Sequence, residues 1–147
     1  MSKKVRKIIL VDIFFQYLAQ TGIKTYTDSL LNQIDAYEGE AYTFIVYPSR
    51  EKLLRSKFFR GKTARWKNWW FQIRYFTHKL IVLPFLSLWY KTDLVFSPDI
   101  LSPIWSRGKR VSVIHDAFFW ETPEHYNALW RKIYLFFLQK SIDSGAR

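Results

Sequence analysis

The stretch KRVSVIHDAFFWETPEHY, residues 109–126, joins a predicted strand to a candidate ligand-binding loop. Its β-branched run at residues 111–114 follows Gly108 and predicts a short buried strand. His115 and Asp116 come directly after this strand, and ligands of open α/β sheets bind at the carboxyl ends of the strands. We therefore predict that His115 and Asp116 are catalytic residues. The alternative is a structural turn, in which the imidazole is hydrogen-bonded and Asp116 shapes the backbone.

The segments before this stretch predict a parallel sheet. A helix whose apolar face carries Tyr26, Leu30, Leu31 and Ile34 lies between the first two predicted strands. A strand–helix–strand unit places its strands in parallel, so we expect an α/β fold: a Rossmann-like open parallel sheet flanked by helices. The predicted strands, rich in β-branched and aromatic residues, are residues 8–14, 41–47, 93–97 and 110–115.

Thr21 and Gly22 form the predicted turn between the first strand and its helix. A glycine at this point lets backbone N–H groups approach an anion at the positive end of the helix, and Lys24 adds a cation nearby. We predict an anion-binding loop of Thr21, Gly22 and Lys24. A glycine that only makes the turn is an equally simple interpretation.

Length and composition limit the class of protein. With 147 residues, 49% of them apolar and 24% charged, the chain supports one domain, residues 1–147, with a hydrophobic core. The absence of cysteine excludes a disulfide framework, a thiolate nucleophile and cysteine-ligated zinc. It is typical of a reducing compartment, so we expect a cytoplasmic protein.

The formal net charge of +11 is concentrated in residues 50–79, which hold ten basic residues and one acidic residue. Such a block attracts anionic surfaces over about a Debye length. The candidate partners are anionic phospholipid on the inner face of a membrane, phosphorylated ligands and nucleic acid. Tryptophans among the basic residues could stack on bases. Nucleic acid is nevertheless the least favoured partner, because no RNA-binding motif accompanies them.

Residues 50–91 form a basic, aromatic helical insert within the domain. An apolar stripe with helical period ends at Pro84, and we favour its packing against the sheet. The alternative is a helix lying on an anionic membrane, with Lys79 on its charged face. Residues 80–90 are too short for a transmembrane helix. The stripe consists of Trp66, Trp69, Trp70, Ile73, Phe76, Leu80 and Leu83. The candidate membrane-surface or acceptor patch consists of Arg65, Trp66, Lys67, Trp69, Trp70 and Arg74.

The last predicted element is a helix that begins at Pro123. Thr122 is a suitable N-cap, and proline is favoured at the first helical position. Glu124 adds an acidic residue to the first turn, where the helix dipole favours it.

Four segments carry a resemblance to a known family. They are TGIKTYTDSLLNQI (residues 21–34), DLVFSPDILSP (93–103), VSVIHDAFFWETPEHY (111–126) and SIDSGA (141–146). In this order they resemble the N-terminal half of the family 4 glycosyltransferases, retaining enzymes of the GT-B fold that move a sugar from a nucleotide-sugar donor to an acceptor. The similarity covers most of the chain.

The resemblance implies roles for the candidate residues. Thr21, Gly22 and Lys24 would approach the donor phosphates, and His115 and Asp116 would lie beside the donor sugar and the acceptor. The nucleotide sugar is then a substrate, and no cofactor is implied. The acceptor would be a glycan or a lipid-linked molecule.

The resemblance also implies a second Rossmann-like domain. Family members carry a glutamate pair separated by seven residues in that C-terminal domain, and no glutamates here have this spacing. We therefore expect a chain that stops within the N-terminal GT-B domain and transfers sugar poorly alone. The alternative function is a non-catalytic binding module whose basic segment docks on an anionic membrane surface.

Other catalytic patterns are missing from the sequence. No H-E-x-x-H spacing connects the histidines and glutamates, so no metal site is predicted. Neither an Asp-x-Asp pair, which metal-dependent sugar transferases use, nor a G-x-S-x-G elbow occurs. The P-loop-like residues 56–63, SKFFRGKT, follow a polar helical segment instead of a strand, which indicates a solvated loop.

Overall fold

A four-stranded open sheet forms the centre of the structure, a computed structural model that describes residues 6–18, 22–37, 39, 41–56, 64–115 and 117–147. Its strands are β1 (Lys7–Asp12), β2 (Tyr42–Tyr47), β3 (Leu94–Ser97) and β4 (Lys109–Ser112). Their spatial order is β2-β1-β3-β4, and every neighbouring pair is parallel, with Leu10 opposite both Ile45 and Val95. The predicted Rossmann-like α/β fold is confirmed.

Helices connect and flank these strands. They are α1 (Gly22–Tyr37), α2 (Arg50–Arg55), α3 (Arg65–Thr77), α4 (Leu83–Trp89), α5 (Phe118–Glu121) and α6 (Ala128–Asp143). Short 3₁₀ turns lie at Phe14–Tyr17 and Pro123–His125, and a π-helical turn at His78–Val82 joins α3 to α4.

Each face of the sheet packs against its own helical layer, because successive side chains of a strand point to opposite faces. Val11 of β1 packs with Leu31 and Ile34 of α1 on one face. Leu10 packs with Leu83 of α4 and with β3 on the other. The predicted burial of Leu31 and Ile34 is confirmed.

A third apolar cluster lies beyond the carboxyl edge of the sheet and joins α3 to α6. It is mainly aromatic, and such rings bury a large area while their tilted and edge-on contacts fix their orientation. The cluster therefore supports the loops that follow the strands. Its buried members are Phe14, Phe71, Tyr75, Leu101, Tyr134 and Leu138.

Two strands, β1 and β4, end earlier than predicted. β1 ends at Asp12 because its carboxylate accepts a hydrogen bond from the Phe14 N–H (3.0 Å), which turns the chain into a 3₁₀ turn. β4 ends at Ser112, and the next N–H, that of Val113, is shared between the carbonyls of Ser97 and Asp99 (3.2 and 3.3 Å). His115 therefore lies on a loop.

The helix that crosses from β2 to β3 runs without a break from residue 65 to residue 89. The prediction that it ends at Pro84 is wrong. A proline ring crowds the carbonyl four residues earlier and lacks an N–H to bond it. The π turn relieves this conflict just before the proline, as the Leu83 N–H bonds to the His78 carbonyl five residues back.

The last helix begins later than predicted. Thr122 makes no capping hydrogen bond with its side chain, and Pro123 belongs to a 3₁₀ turn. Tyr126 is extended, and Asn127 caps α6 by accepting from the N–H groups of Leu129 (3.0 Å) and Trp130 (3.3 Å). Asparagine competes well for N-cap positions, so the capping residue was misassigned.

Gly108 precedes β4 with a φ of +80°, and a Cβ at this position would lie 2.4 Å from the carbonyl oxygen of Asp93. Gly108→Ala should therefore lower the free energy of unfolding by about 1–3 kcal/mol, through backbone strain and collision. Urea unfolding measures the loss. Gly22→Ala is the matched control, since no heavy atom of the described residues lies within 4 Å of the added Cβ. Equal stabilities of the two variants would contradict this account.

Candidate functional site

A cavity of about 390 Å³ opens at the carboxyl edge of the sheet. In an open parallel sheet, ligands bind between two neighbouring strands whose following connections lead towards opposite edges of the sheet. Here these strands are β1 and β3, because β1 is followed by β2 on one side and β3 by β4 on the other. The cavity wall contains Ile23 from the start of α1, Asp99 and Ile100 after β3, and His115 after β4. The remaining walls come from Phe15, Leu18, Gln72, Phe119, His125, Tyr126, Asn127, Trp130, Arg131 and Tyr134.

The structure brings the start of α1 and His115 together. The rings of Tyr26 and His115 are in edge-to-face contact with centroids 5.0 Å apart, and Ile23 and His115 share the cavity wall. Gly22 is the first residue of α1, and Lys24 is exposed. Thr21 and Asp116, which belong to the predicted sites, lie outside the described residues.

His115 has a fixed orientation at the cavity. Its Nε2 donates a hydrogen bond to the carbonyl of Pro98 (2.9 Å), since a carbonyl oxygen can only accept. In the neutral ring Nδ1 is then the accepting nitrogen. The loop after β3 thus orients the imidazole while the ring itself stays exposed.

A buried ion cluster lies beside the cavity, at the point where β1 and β3 end. The Lys79 ammonium donates to Asp12 Oδ2 (2.6 Å) and to Asp99 Oδ1 (2.7 Å). His78 Nε2 donates to Asp12 Oδ1 (2.8 Å), and the Tyr75 hydroxyl donates to Asp99. All five residues are buried, and Asp99 also belongs to the cavity wall.

The two carboxyl groups of this cluster differ in acidity. Burial alone would raise the pKa of Asp12, but Lys79 and His78 outweigh it and hold the pKa well below its usual 3.8. Burial raises the pKa of Asp99 above 3.8, and Asp12 adds to the increase against the opposing effect of Lys79. The pKa of Lys79 is raised above 10.5 because the two carboxylates outweigh its burial. Lys79 is therefore an ammonium held between the two carboxyl groups.

Sequence reasoning missed this cluster. The membrane alternative placed Lys79 on the charged face of its helix, and that placement is wrong because Asp12 and Asp99 offer it a buried ion pair. A usable signal existed: Asp12 interrupts an apolar strand, and the pair His78 and Lys79 interrupts an apolar helical stripe. Charged residues within otherwise buried elements are almost always paired.

The prediction that the apolar stripe packs against the sheet is wrong for its first four residues. Trp66, Trp69, Trp70 and Ile73 are exposed. Leu83, the last residue of the stripe, does pack against β1 and β3. Trp69 is held partly by an edge-on contact with Trp130 (4.8 Å), and the Lys67 ammonium lies 5.8 Å from the centroid of the Trp66 ring. Arg65 and Arg74 are exposed, and the buried residues of the helix are Phe71, Tyr75, His78, Lys79, Leu83 and Ser87.

Within the described ranges, no three His, Asp or Glu side chains converge in a way that could hold a metal ion. None of the helices in the described part of the chain combines the length and apolarity that a bilayer crossing requires.

Comparison with known protein families, with characterised proteins and with solved structures gives no match to this chain. The site is therefore interpreted from its own geometry and from the resemblance of its motifs.

Replacing Lys79 by methionine should destabilise the fold strongly. The change leaves Asp12 and Asp99 buried without their counter-ion, and removing one partner of a buried pair typically costs about 3–5 kcal/mol. Urea unfolding at pH 7 measures the loss. Lys132→Met on α6, where the side chain is exposed, is the control and should change little.

The Lys79→Met variant should also respond differently to pH. In the natural chain the lowered pKa of Asp12 contributes stability that is present above pH 3.8 and lost as the pH falls further. Without the ammonium, burial raises the pKa of Asp99 further, and only His78 still opposes the effect of burial on the pKa of Asp12. The stability contributed by the protonated Asp99 is therefore present at low pH and lost as the pH rises. The deficit should therefore shrink between pH 7 and about pH 5. A deficit that grows on acidification would contradict the ion cluster.

Proposed function

We propose that this chain forms the acceptor side of a sugar-transfer cleft, of the kind found in retaining GT-B glycosyltransferases. The observation that carries the proposal is the meeting of the first turn of α1 with His115 at one cavity on the carboxyl edge of a parallel sheet. These are the two places where the sequence resembles the donor and acceptor loops of that family. Two segments about ninety residues apart in the sequence thus share one wall.

The chemistry of the cavity suits a carbohydrate. Aromatic rings such as Tyr126 and Trp130 offer flat apolar faces for the C–H face of a sugar ring. Gln72, Asn127 and Arg131 have side-chain groups that can form hydrogen bonds with the hydroxyl groups of a sugar. A sugar ring carries both an apolar C–H face and hydroxyl groups, so it can use both kinds of contact.

The start of α1 supports a place for the donor phosphates. Its first N–H groups point out of the helix, the dipole favours an anion there, and the exposed Lys24 adds a positive charge. Among the residues that the structure describes, none places a heavy atom within 4 Å of a Cβ built on Gly22, which leaves room for a ligand to reach this backbone. His115 then lies between phosphate and acceptor, where its accepting nitrogen can hold a sugar hydroxyl.

Transfer in such enzymes also needs a second Rossmann-like domain, which holds the nucleotide. That domain is the principal protein partner in this proposal, with a nucleotide sugar as donor and a glycan or lipid-linked molecule as acceptor. Asp116, the second predicted catalytic residue, remains part of the hypothesis.

The proposal predicts weak, saturable sugar binding at the cavity. Titration of the isotopically labelled chain with UDP-glucose, GDP-mannose, maltose and mannobiose, followed by NMR, should shift the resonances of Ile23, Tyr26 and His115. His115→Ala should weaken the binding about tenfold, since a lost hydrogen bond costs on the order of 1.5 kcal/mol. Tyr37→Ser, at the far end of α1 and exposed, should bind as the natural chain does.

Two results would contradict the proposal: no probe shifts the cavity resonances, or His115→Ala binds as tightly as the Tyr37→Ser control. Transfer activity is a separate measurement. The chain alone should hydrolyse or transfer these donors at background rates, and robust turnover would disprove the need for a second domain.

A further inference from the structure

We propose that the helix of residues 65–89 docks with its outer face on an anionic phospholipid bilayer. Large apolar side chains are exposed in both halves of this helix, Trp66 by 61%, Ile81 by 64% and Trp89 by 70%. Large exposed apolar patches on soluble proteins mark sites of interaction with a protein or a membrane. The outer face, as used below, consists of Trp66, Trp69, Trp70, Ile73, Ile81, Phe85, Leu88 and Trp89.

The outer face is a true helical stripe, opposite the face that packs on the sheet. Buried positions recur about every fourth residue, at Tyr75, Lys79, Leu83 and Ser87. Ile73, Ile81, Phe85 and Trp89 fall two positions away from these, about half a helical turn. The stripe therefore continues through the π turn from α3 into α4, and it includes α4 residues that sequence periodicity did not single out.

Charge complementarity selects anionic lipid as the occupant. Residues 64–92 contain no aspartate or glutamate, while Arg65, Lys67, Arg74 and Lys91 supply positive charge. Arg65, Arg74 and Lys91 are exposed, and long basic side chains can reach headgroup phosphates from the edge of an apolar face. A second copy of the same helix would instead bring two basic, carboxylate-free segments together.

The placement of tryptophan agrees with a helix that lies in the membrane surface. Trp66, Trp69 and Trp70 stand at one end of the stripe and Trp89 at the other, with aliphatic residues and Phe85 between them. Tryptophan prefers the depth of the headgroups, where its ring is half in hydrocarbon and its N–H can still be solvated. In a helix that lies parallel to the membrane surface, the tryptophans at both ends can lie at this depth.

Vesicle co-sedimentation tests this proposal. The chain should bind vesicles of equal parts phosphatidylcholine and phosphatidylglycerol much more tightly than vesicles of phosphatidylcholine alone. Binding should fall steeply when salt is raised, since each basic residue near the surface strengthens binding about fivefold through a charge interaction that salt screens.

Two variants separate the apolar and the charged contributions. Trp66→Ser/Trp89→Ser should weaken binding to the anionic vesicles by about tenfold or more at either salt concentration. Arg65→Gln/Arg74→Gln should weaken it at low salt only. The matched control is Tyr37→Ser/Tyr42→Ser, two exposed aromatic residues outside the helix, which should bind as the natural chain does. Thermal unfolding checks that each variant is folded, and Trp89→Ser alone replaces the double variant where it is not.

Three outcomes overturn the proposal. The first is no binding to anionic vesicles. The second is an equal loss in the tyrosine control and the tryptophan variant. The third is a dimer in sedimentation equilibrium that Trp66→Ser/Trp89→Ser dissociates, which assigns the outer face to a second copy of this chain. Vesicle binding that the tryptophan variant loses and the control keeps supports the proposal, whatever the cavity binds.

Discussion

The Lys79 ammonium lies between two carboxylates and holds the helix of residues 65–89 at the edge of the sheet. Lys79 bonds Asp12 at the end of β1 and Asp99 in the loop after β3, at 2.6 and 2.7 Å, and water is excluded from all three groups. Buried charges cost several kcal/mol each unless their hydrogen bonds are complete. Any shift of the helix along the sheet would break one of these bonds. The cluster therefore allows one placement of the helix, whereas an apolar contact would allow several.

The π turn makes this arrangement compatible with a continuous helix. Its wider spacing lets two successive residues, His78 and Lys79, both face the sheet edge, and both are bonded to Asp12. Further along, Ser87 accepts a hydrogen bond from the Arg107 N–H (2.9 Å). The inner face of this helix is thus partly polar, because the sheet edge and its loops provide hydrogen-bond partners. At His78, Lys79 and Ser87 polar side chains are buried while Ile81, Phe85 and Trp89 are exposed, which reverses the pattern of an ordinary amphipathic helix at these positions.

This reversal explains which parts of the structure could be predicted from the sequence. The sheet and α1 follow local rules, since β-branched runs form strands and the spacing of Leu31 and Ile34 forms one buried face. The contact of α1 with His115 follows from topology, because parallel strands end at one edge. The orientation of residues 65–89 does not follow from either rule. It depends on Asp12 and Asp99, which are distant in sequence, and a periodicity of apolar residues carries no information about buried charge pairs.

Asp99 belongs both to the ion cluster and to the cavity wall, and it therefore connects the cavity to the helix of residues 65–89. Both oxygens of its carboxyl group are bonded, Oδ1 by Lys79 and Oδ2 by Tyr75, and the residue lines the cavity. Burial and the nearby Asp12 raise the pKa of Asp99, whereas the pKa of Asp12 is lowered. A displaced helix would leave the buried Asp99 without these partners, which is costly for a buried polar group. The ion cluster that places the helix therefore also places one residue of the cavity wall.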